Sequence, residues 1–231
     1  MPAFHSCTCR LVERAINEVI MYNVAYFKAS GQQEVMDFMQ AHPFITLCGA
    51  SIEGRPIATH VPVLFEERGD KLFLLAHIMR MQGHTEVFKQ NNRVLAIFTG
   101  PHTYVSASWY EDKAVASTWN YQAVHVSGIL QFTDEASLLK LLGALTEKFE
   151  NNPDSPALLD KMPSEYVAKM VQAIISFEIE ITGIDHVFKL SQNRDAKSYE
   201  HIIRHLQSGD SSAQTIAQEM ERKIDSNRKM E

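Results

Sequence analysis

From Pro101 to Gly128 the chain gathers Trp109 and Trp119, its only tryptophans, with Tyr104, Tyr110 and Tyr121, His102 and His125, and hydroxyls that include Ser106, Ser108 and Thr118. The mixture is too polar for a core and too aromatic for an ordinary surface loop. Aromatic faces give contact area at small entropic cost, while hydroxyl, amide and imidazole groups fix orientation. These residue types therefore suit the wall of a ligand pocket. The same residues could plug the end of a sheet as a hairpin, and composition alone leaves both readings open.

A second group lies at His77-Ile-Met-Arg80-Met-Gln82-Gly-His84-Thr85. Here a strand ends, an arginine follows and a glycine precedes a short helix, an order that suits a phosphate. Arg80 presents a planar fork of donors, and Thr85 with the first helical N–H groups adds more at the positive end of a helix dipole. A solvated connector with an incidental arginine is the alternative. His60, His77, His84, His102 and His125 fall in or beside expected strands, and imidazole is a common ligand of transition metals. Their spacing matches no chelate pattern and no carboxylate completes one, so no metal residue is assigned. Cys7-Thr-Cys9 could be half of a metal site, but no second cysteine pair stands near it. No nucleophile and base stand at a recognisable activating spacing, and no catalytic residue is assigned.

The elements that must hold these groups read mainly as strands. Ser30 is placed to cap a helix whose Val35, Phe38, Met39 and His42 form one stripe before Pro43. Strands follow at 44–48, 56–65 and 72–77, with turns at Glu53-Gly54 and Arg68-Gly69-Asp70. A short helix is expected over 85–91. Val94 to Phe98 is apolar on both faces and belongs at the centre of a sheet. The strand that passes Gly128 continues through Leu130 and Phe132, and Asp134 begins a helix with Leu138, Leu141, Leu142, Leu145 and Phe149 as its packing face. Ser164 caps another helix, and Phe177 to Ile181 alternates as a half-buried strand. Strands at this spacing, joined by short turns, point to an antiparallel barrel or sandwich. From Gln207 the chain turns polar, and 211–231 reads as a loosely docked helix or tail.

A chain of 231 residues with 45% hydrophobic content can bury a sizeable core. Its net charge of −6 argues against a surface built as a whole to track nucleic-acid phosphates. Three cysteines suit a reducing compartment better than a disulfide framework. No stretch is long and apolar enough to span a bilayer, and the charged N-terminus lacks the apolar block of a signal peptide, so a cytoplasmic location is expected. Met21 opens a more convincing beginning than Met1.

The strings Ala58-Thr59-His60-Val61-Pro62, Phe98 to Tyr110, Thr118-Trp119-Asn120-Tyr121 with Ala123-Val124-His125-Val126, and Phe188-Lys189-Leu190-Ser191-Gln192-Asn193-Arg194 resemble the PaiB family. That family is described as FMN-binding negative transcriptional regulators. The likeness runs from about Met21 to Leu206. It implies an α+β, mainly β, fold: a split β-barrel of the FMN-binding type with peripheral helices, related to pyridoxine-phosphate oxidases and flavin reductases. It also implies a homodimer with FMN at the subunit interface. On this view residues 1–20 are an N-terminal extension, 21–206 the PaiB-like domain and 207–231 a polar C-terminal helix or tail.

Carried over residue by residue, the resemblance places His77 and Arg80 at the phosphate end of the flavin. It makes Ser106, Ser108, Trp109, Trp119 and Asn120 an aromatic and polar wall, and Lys189, Gln192 and Asn193 the C-terminal signature. Thr59, His60 and Gln82 complete the implied cofactor-binding set. Two positions depart from the family pattern. Members usually carry Asn-Pro-Gln-Trp where this chain has Gln82-Gly83-His84-Thr85, and Pro where Ala107 stands. The implied function is regulation of transcription with no demonstrated catalysis, and the alternative is a flavin-dependent oxidoreductase of the pyridoxine-phosphate oxidase or flavin reductase kind. Direct DNA contact would need a local basic face, for which Arg194 to Lys229 is the densest segment.

Overall fold

Leu72, Leu74, Ala76 and Ile78 alternate along β4 (Lys71–Met79), and all four are buried. Opposite them on β7 (Ile174–Lys189) lie Ile179, Phe177 and Ile175, in the register Leu74↔Ile179, Ala76↔Phe177 and Ile78↔Ile175. Directly opposed residues share a face of the sheet. The intervening pairs Leu75↔Glu178 and His77↔Ser176 therefore occupy the other face. Each buried aliphatic or aromatic side chain in such a row contributes about 1.5–3 kcal/mol.

The computed structural model describes residues 21–228. The expected extension at 1–20, with the Cys7-Thr-Cys9 reading, lies outside the described residues. The remaining strands are β1 (Phe44–Ala50), β2 (Pro56–Pro62), β3 (Leu64–Arg68), β5 (Arg93–Val105) and β6 (Thr118–Phe132). They form one seven-stranded sheet in the order β2-β1-β5-β6-β7-β4-β3. The pairs β1 with β2, β1 with β5, β3 with β4 and β4 with β7 are all antiparallel. With its helices, α1 (Gln32–Ala41), α2 (Gly83–Gln90), α3 (Glu135–Glu150), α4 (Ser164–Ala173), α5 (Ala196–Gln207) and α6 (Ser211–Arg228), the fold is the expected split β-barrel class.

Two units divide these elements. One comprises Pro43–Ile97 and His125–Ile184. In it, α3 starts at the N-cap Asp134, whose carboxylate accepts from Ser137 N–H at 2.8 Å, and buries Leu138, Leu141, Leu142 and Leu145. Asn151 ends the helix at φ 46°, the left-handed conformation common just beyond a helix C-terminus. Phe149, expected on the packing face, is exposed because the helix ends there with Lys148 over its ring. The strand expected over 56–65 is split at Val63, whose N–H donates to Pro43 O at 2.9 Å. Proline at 62 offers no ladder donor, and β2 stops on it.

The other unit comprises residues 21–42, 98–124 and 185–228. Gly31, and not Ser30, is the N-cap of α1; Ser30 instead donates its backbone N–H to Glu34 Oε2 at 2.6 Å. Val105, Tyr110, Leu190, Ile202, Ile203 and Leu206 pack with Ala213, Ile216, Ala217 and Met220 in one core. The segment that reads as a polar helix or tail thus carries α6, whose apolar row is buried in that core. No helix among the described residues is long and apolar enough to cross a membrane.

Candidate functional site

The residues expected to hold a cofactor fall in both units, and each group has its own geometry. In the first unit, Thr59 and His60 lie on β2 opposite Leu47 and Thr46 of β1. Thr59 is half-buried; His60 is exposed, its ring stacked on Phe44 with centroids 6.2 Å apart. His77 precedes the end of β4. Arg80 follows, its backbone N–H donating to Ala173 O and its Nη2 to Ile174 O, both at 2.8 Å. These bonds clip the end of β4 to the start of β7 and leave the rest of the guanidinium fork open. Gln82 occupies the N-cap of α2, where its carbonyl accepts from Thr85 N–H at 3.1 Å.

Thr85 corrects the sequence reading. Its hydroxyl, expected to offer itself to a phosphate, donates to Met79 O at 2.7 Å, and the residue is fully buried. Arg80 is thus the side chain of this turn with donors to spare.

Burial holds the His77 imidazole below its ordinary pKa of 6.5, and its Nδ1 is sealed from solvent without a partner. In the second unit burial acts in the same direction on His186, whose Nε2 accepts from Ala29 N–H at 2.9 Å. A histidine with a depressed folded pKa binds fewer protons folded than unfolded below pH 6.5. Its contribution is whole above that pH and is lost as pH falls through the window down to the folded value. The melting temperature is therefore expected to drop between about pH 7 and pH 5, and His77→Gln to flatten that slope. Equal slopes for wild type and variant would remove His77 as a source.

In the second unit the aromatic stretch forms the end of β5, a 3-10 turn at Ala107–Trp109 and the beginning of β6. Ser106 caps the turn, its hydroxyl accepting from Ser108 N–H at 3.2 Å and lying 2.8 Å from Ser108 Oγ. Trp109 stacks on His205 with centroids 4.7 Å apart and planes 13° from parallel. Trp119 is 53% exposed, with Tyr104 edge-on and His102 tilted, each at 6.0 Å. The two indoles thus differ: Trp109 already has a stacking partner, and Trp119 offers a free surface.

Asn120 is wholly buried; its Oδ1 accepts from Ser191 Oγ at 2.9 Å and its Nδ2 lies 3.5 Å from Met220 Sδ. An amide so enclosed ties β6 to Ser191 and to Met220 of α6. Lys189 Nζ hydrogen-bonds Thr118 Oγ1. The Gln192 amide closes its own turn, accepting from Leu190 N–H at 2.7 Å and donating to Phe188 O at 2.5 Å. Asn193 is exposed. Ser191, Thr118 and Arg194 are the members of this cluster to which the sequence assigned no cofactor contact, although all three stand inside the quoted strings.

The histidines considered for a metal are dispersed, and among the described residues no three His, Cys, Asp or Glu side chains converge as ligands. The first unit also holds a cavity of about 250 Å³ between β3, β4, β7 and α3. Its lining includes Leu75, Lys140 and Phe177, with Arg68 bridging Glu66 and Glu178, and none of the expected cofactor residues faces it.

Residues 21–183 match the family described as "Putative FMN-binding domain". The chain is 35% identical over 205 residues to the Bacillus subtilis (strain 168) protein named "Protease synthase and sporulation protein PAI 2", covering 88% of this chain and 98% of that one. Among solved structures, the conserved hypothetical protein Rv2991 from Mycobacterium tuberculosis superposes with a TM-score of 0.51 at 13% identity, over 73% of this chain and 90% of its own. The FAD and heme binding protein from Mycobacterium smegmatis does so with a TM-score of 0.51 at 15% identity, over 74% of this chain and 78% of its own. At such identities these two structures speak for the fold alone.

Proposed function

The chain belongs to the PaiB family of proteins with an FMN-binding domain, and from that membership we propose that it is an FMN-binding negative transcriptional regulator, working in the cytoplasm as a homodimer. The observation that carries the reading is the family match over residues 21–183, joined to 35% identity along 98% of PAI 2.

The residues present fit a flavin in three respects. Trp119 keeps half its surface free beside Tyr104 and His102. Arg80 retains open donors after its bond to Ile174 O. Lys189 is a half-buried ammonium whose nearest hydrogen-bond partner is a hydroxyl. A bound flavin would supply hydride or single-electron transfer. Within this reading Arg80, helped by Gln82 and the first N–H groups of α2, binds the phosphate. His77, Thr59 and His60 line the same unit. Trp119 with Ser106 and Ser108 supplies flat surface and hydroxyls for the ring, and Lys189 and Asn193 supply donors to its polar edge. Asn120 and Gln192 act by positioning.

Three basic residues near the C-terminus pair with carboxylates: Arg204 with Glu200 at 3.3 Å, Arg222 with Glu219 at 2.5 Å and Lys223 with Glu34 at 2.6 Å. At a net charge of −6, a regulator would contact few DNA phosphates, and its binding should depend only weakly on salt.

The spectrum of freshly purified protein and an FMN titration followed by flavin fluorescence test the cofactor. Arg80→Ala is expected to weaken FMN about tenfold, some 1.4 kcal/mol, with riboflavin unaffected. Unchanged FMN affinity would take Arg80 out of the site. For the regulatory step, selection from a randomised DNA duplex library, with and without FMN, should enrich one motif. The absence of any motif in both states counts against direct DNA recognition, and FMN-dependent consumption of reduced nicotinamide would move the reading to an oxidoreductase.

A further inference from the structure

Half-buried cations in a folded chain ordinarily find a carboxylate, because an uncompensated charge away from water is costly. In the unit of residues 21–42, 98–124 and 185–228, Lys28 pairs with Asp185 at 2.8 Å and Lys223 with Glu34 at 2.6 Å. Lys189 and Arg194 break this pattern. Both are half-buried, and among the described residues no carboxylate pairs with either. Lys189 Nζ has the Thr118 hydroxyl, and the Arg194 guanidinium lies 4.2 Å over the Tyr110 ring. A third cation, the exposed Lys113, donates to Ser108 O at 3.0 Å and to Tyr110 O. Tyr110 itself is 1% exposed and its hydroxyl has no partner.

Lys189 and Arg194 stand at the two ends of one short turn, closed by the Gln192 amide and by the bond from Arg194 N–H to Ser191 O at 3.0 Å. Burial first, then the Arg194 charge, holds the Lys189 ammonium below its ordinary pKa. An anion arriving there would relieve both effects, since it supplies the missing charge and replaces lost water. The buried Phe27 ring, its centre 5.9 Å from Lys189 Nζ, packs beside the ammonium.

We propose that Lys189 and Arg194 form an anion site that takes the carboxylate or phosphate group of a small molecule, with Thr118 as its hydroxyl donor. The site stands on the unpaired charges; only its service to a flavin rests on the reading above. The anion is either the flavin's own phosphate or the acidic group of a second molecule beside the ring.

Inorganic phosphate at constant ionic strength is the probe, followed on the full chain by tryptophan fluorescence and backbone amide shifts. Saturation is expected, with shifts gathered over residues 108–119 and 189–195. Lys189→Met and Arg194→Met should each weaken phosphate at least tenfold, while Lys71→Met, which removes an ammonium paired with Glu180 in the other unit, should not. A response that never saturates, shifts spread over the surface, or equal weakening in Lys71→Met overturns the site. Because the amide shifts are read on the wild-type chain, a variant that fails to fold does not shelter the proposal. FMN and riboflavin then separate the two sources. If the flavin phosphate sits here, phosphate competes with FMN and both variants lose the preference for FMN over riboflavin. If a second molecule does, phosphate binds alongside FMN and that preference falls only in Arg80→Ala. A chain that saturates with phosphate but binds neither flavin refutes the flavin reading and leaves the anion site in place.

Discussion

Asn120→Ala is expected to cost about 2–3 kcal/mol, lowering the melting temperature by roughly 5–10 °C, and to weaken flavin and phosphate binding in the same variant. The reason lies in Ser191. Its backbone sits at φ 63°, a left-handed conformation that a serine adopts only at a cost, of order 1–3 kcal/mol. The bond from its hydroxyl to Asn120 Oδ1, closed off from water in both residues, holds it there. Removing the amide leaves a buried hydroxyl without a partner and an empty space against Met220. The turn it releases carries Lys189, Gln192, Asn193 and Arg194.

Ser191→Gly provides the contrast. Glycine adopts the left-handed conformation freely, so the lost hydrogen bond is offset in part and the melting temperature should move by no more than a few degrees. Thermal melts of the two variants, each paired with an FMN titration, decide the matter. An Asn120→Ala protein that melts like the wild type would show that the buried pair does not hold the turn. One that melts lower but binds equally well would show that the turn does not position the ligand.

How the sequence relates to this arrangement depends on the range of the contact. Period-two alternation over Phe177 to Ile181 made the middle of β7 legible, and the leucine spacing made α3 legible, because burial on one face writes itself into consecutive residues. The aromatic and polar mixture of 101–128 pointed to a wall, and Trp119 does present a free face. The same composition could not tell that Trp109 is already stacked on His205, a residue of a helix 96 positions later by subtraction of their numbers. Thr85 looked like a phosphate donor by its place at a helix start, yet it spends its hydroxyl on Met79 O. Asn120 carried the right residue type for a ligand contact, and its complete burial is a fact of packing that residue type does not encode. That no carboxylate among the described residues pairs with Lys189 or Arg194 is likewise visible only in three dimensions.

Gly128→Ala is expected to be the more damaging change to the sheet, costing about 3 kcal/mol or more and lowering the melting temperature by roughly 6–12 °C. A Cβ at this position of β6 would stand 2.3 Å from Ile179 Cγ2 and 2.7 Å from Glu180 O. The first atom belongs to a side chain with no exposed surface, and the second to the backbone of β7, so neither can swing aside without moving the strand. Close approach of backbone to strand is thus the reason for glycine here, since Gly128 is not among the glycines with positive φ. Gly143 in α3 tests the sign of the argument. A Cβ there meets nothing nearer than Leu159 Cδ2 at 3.9 Å, and alanine restores helix propensity. Gly143→Ala should therefore stabilise by about 0.5–1 kcal/mol. Thermal and urea melts of both variants check the pair. If Gly128→Ala retained the wild-type midpoint, β6 and β7 could not approach as closely as the sheet described here requires.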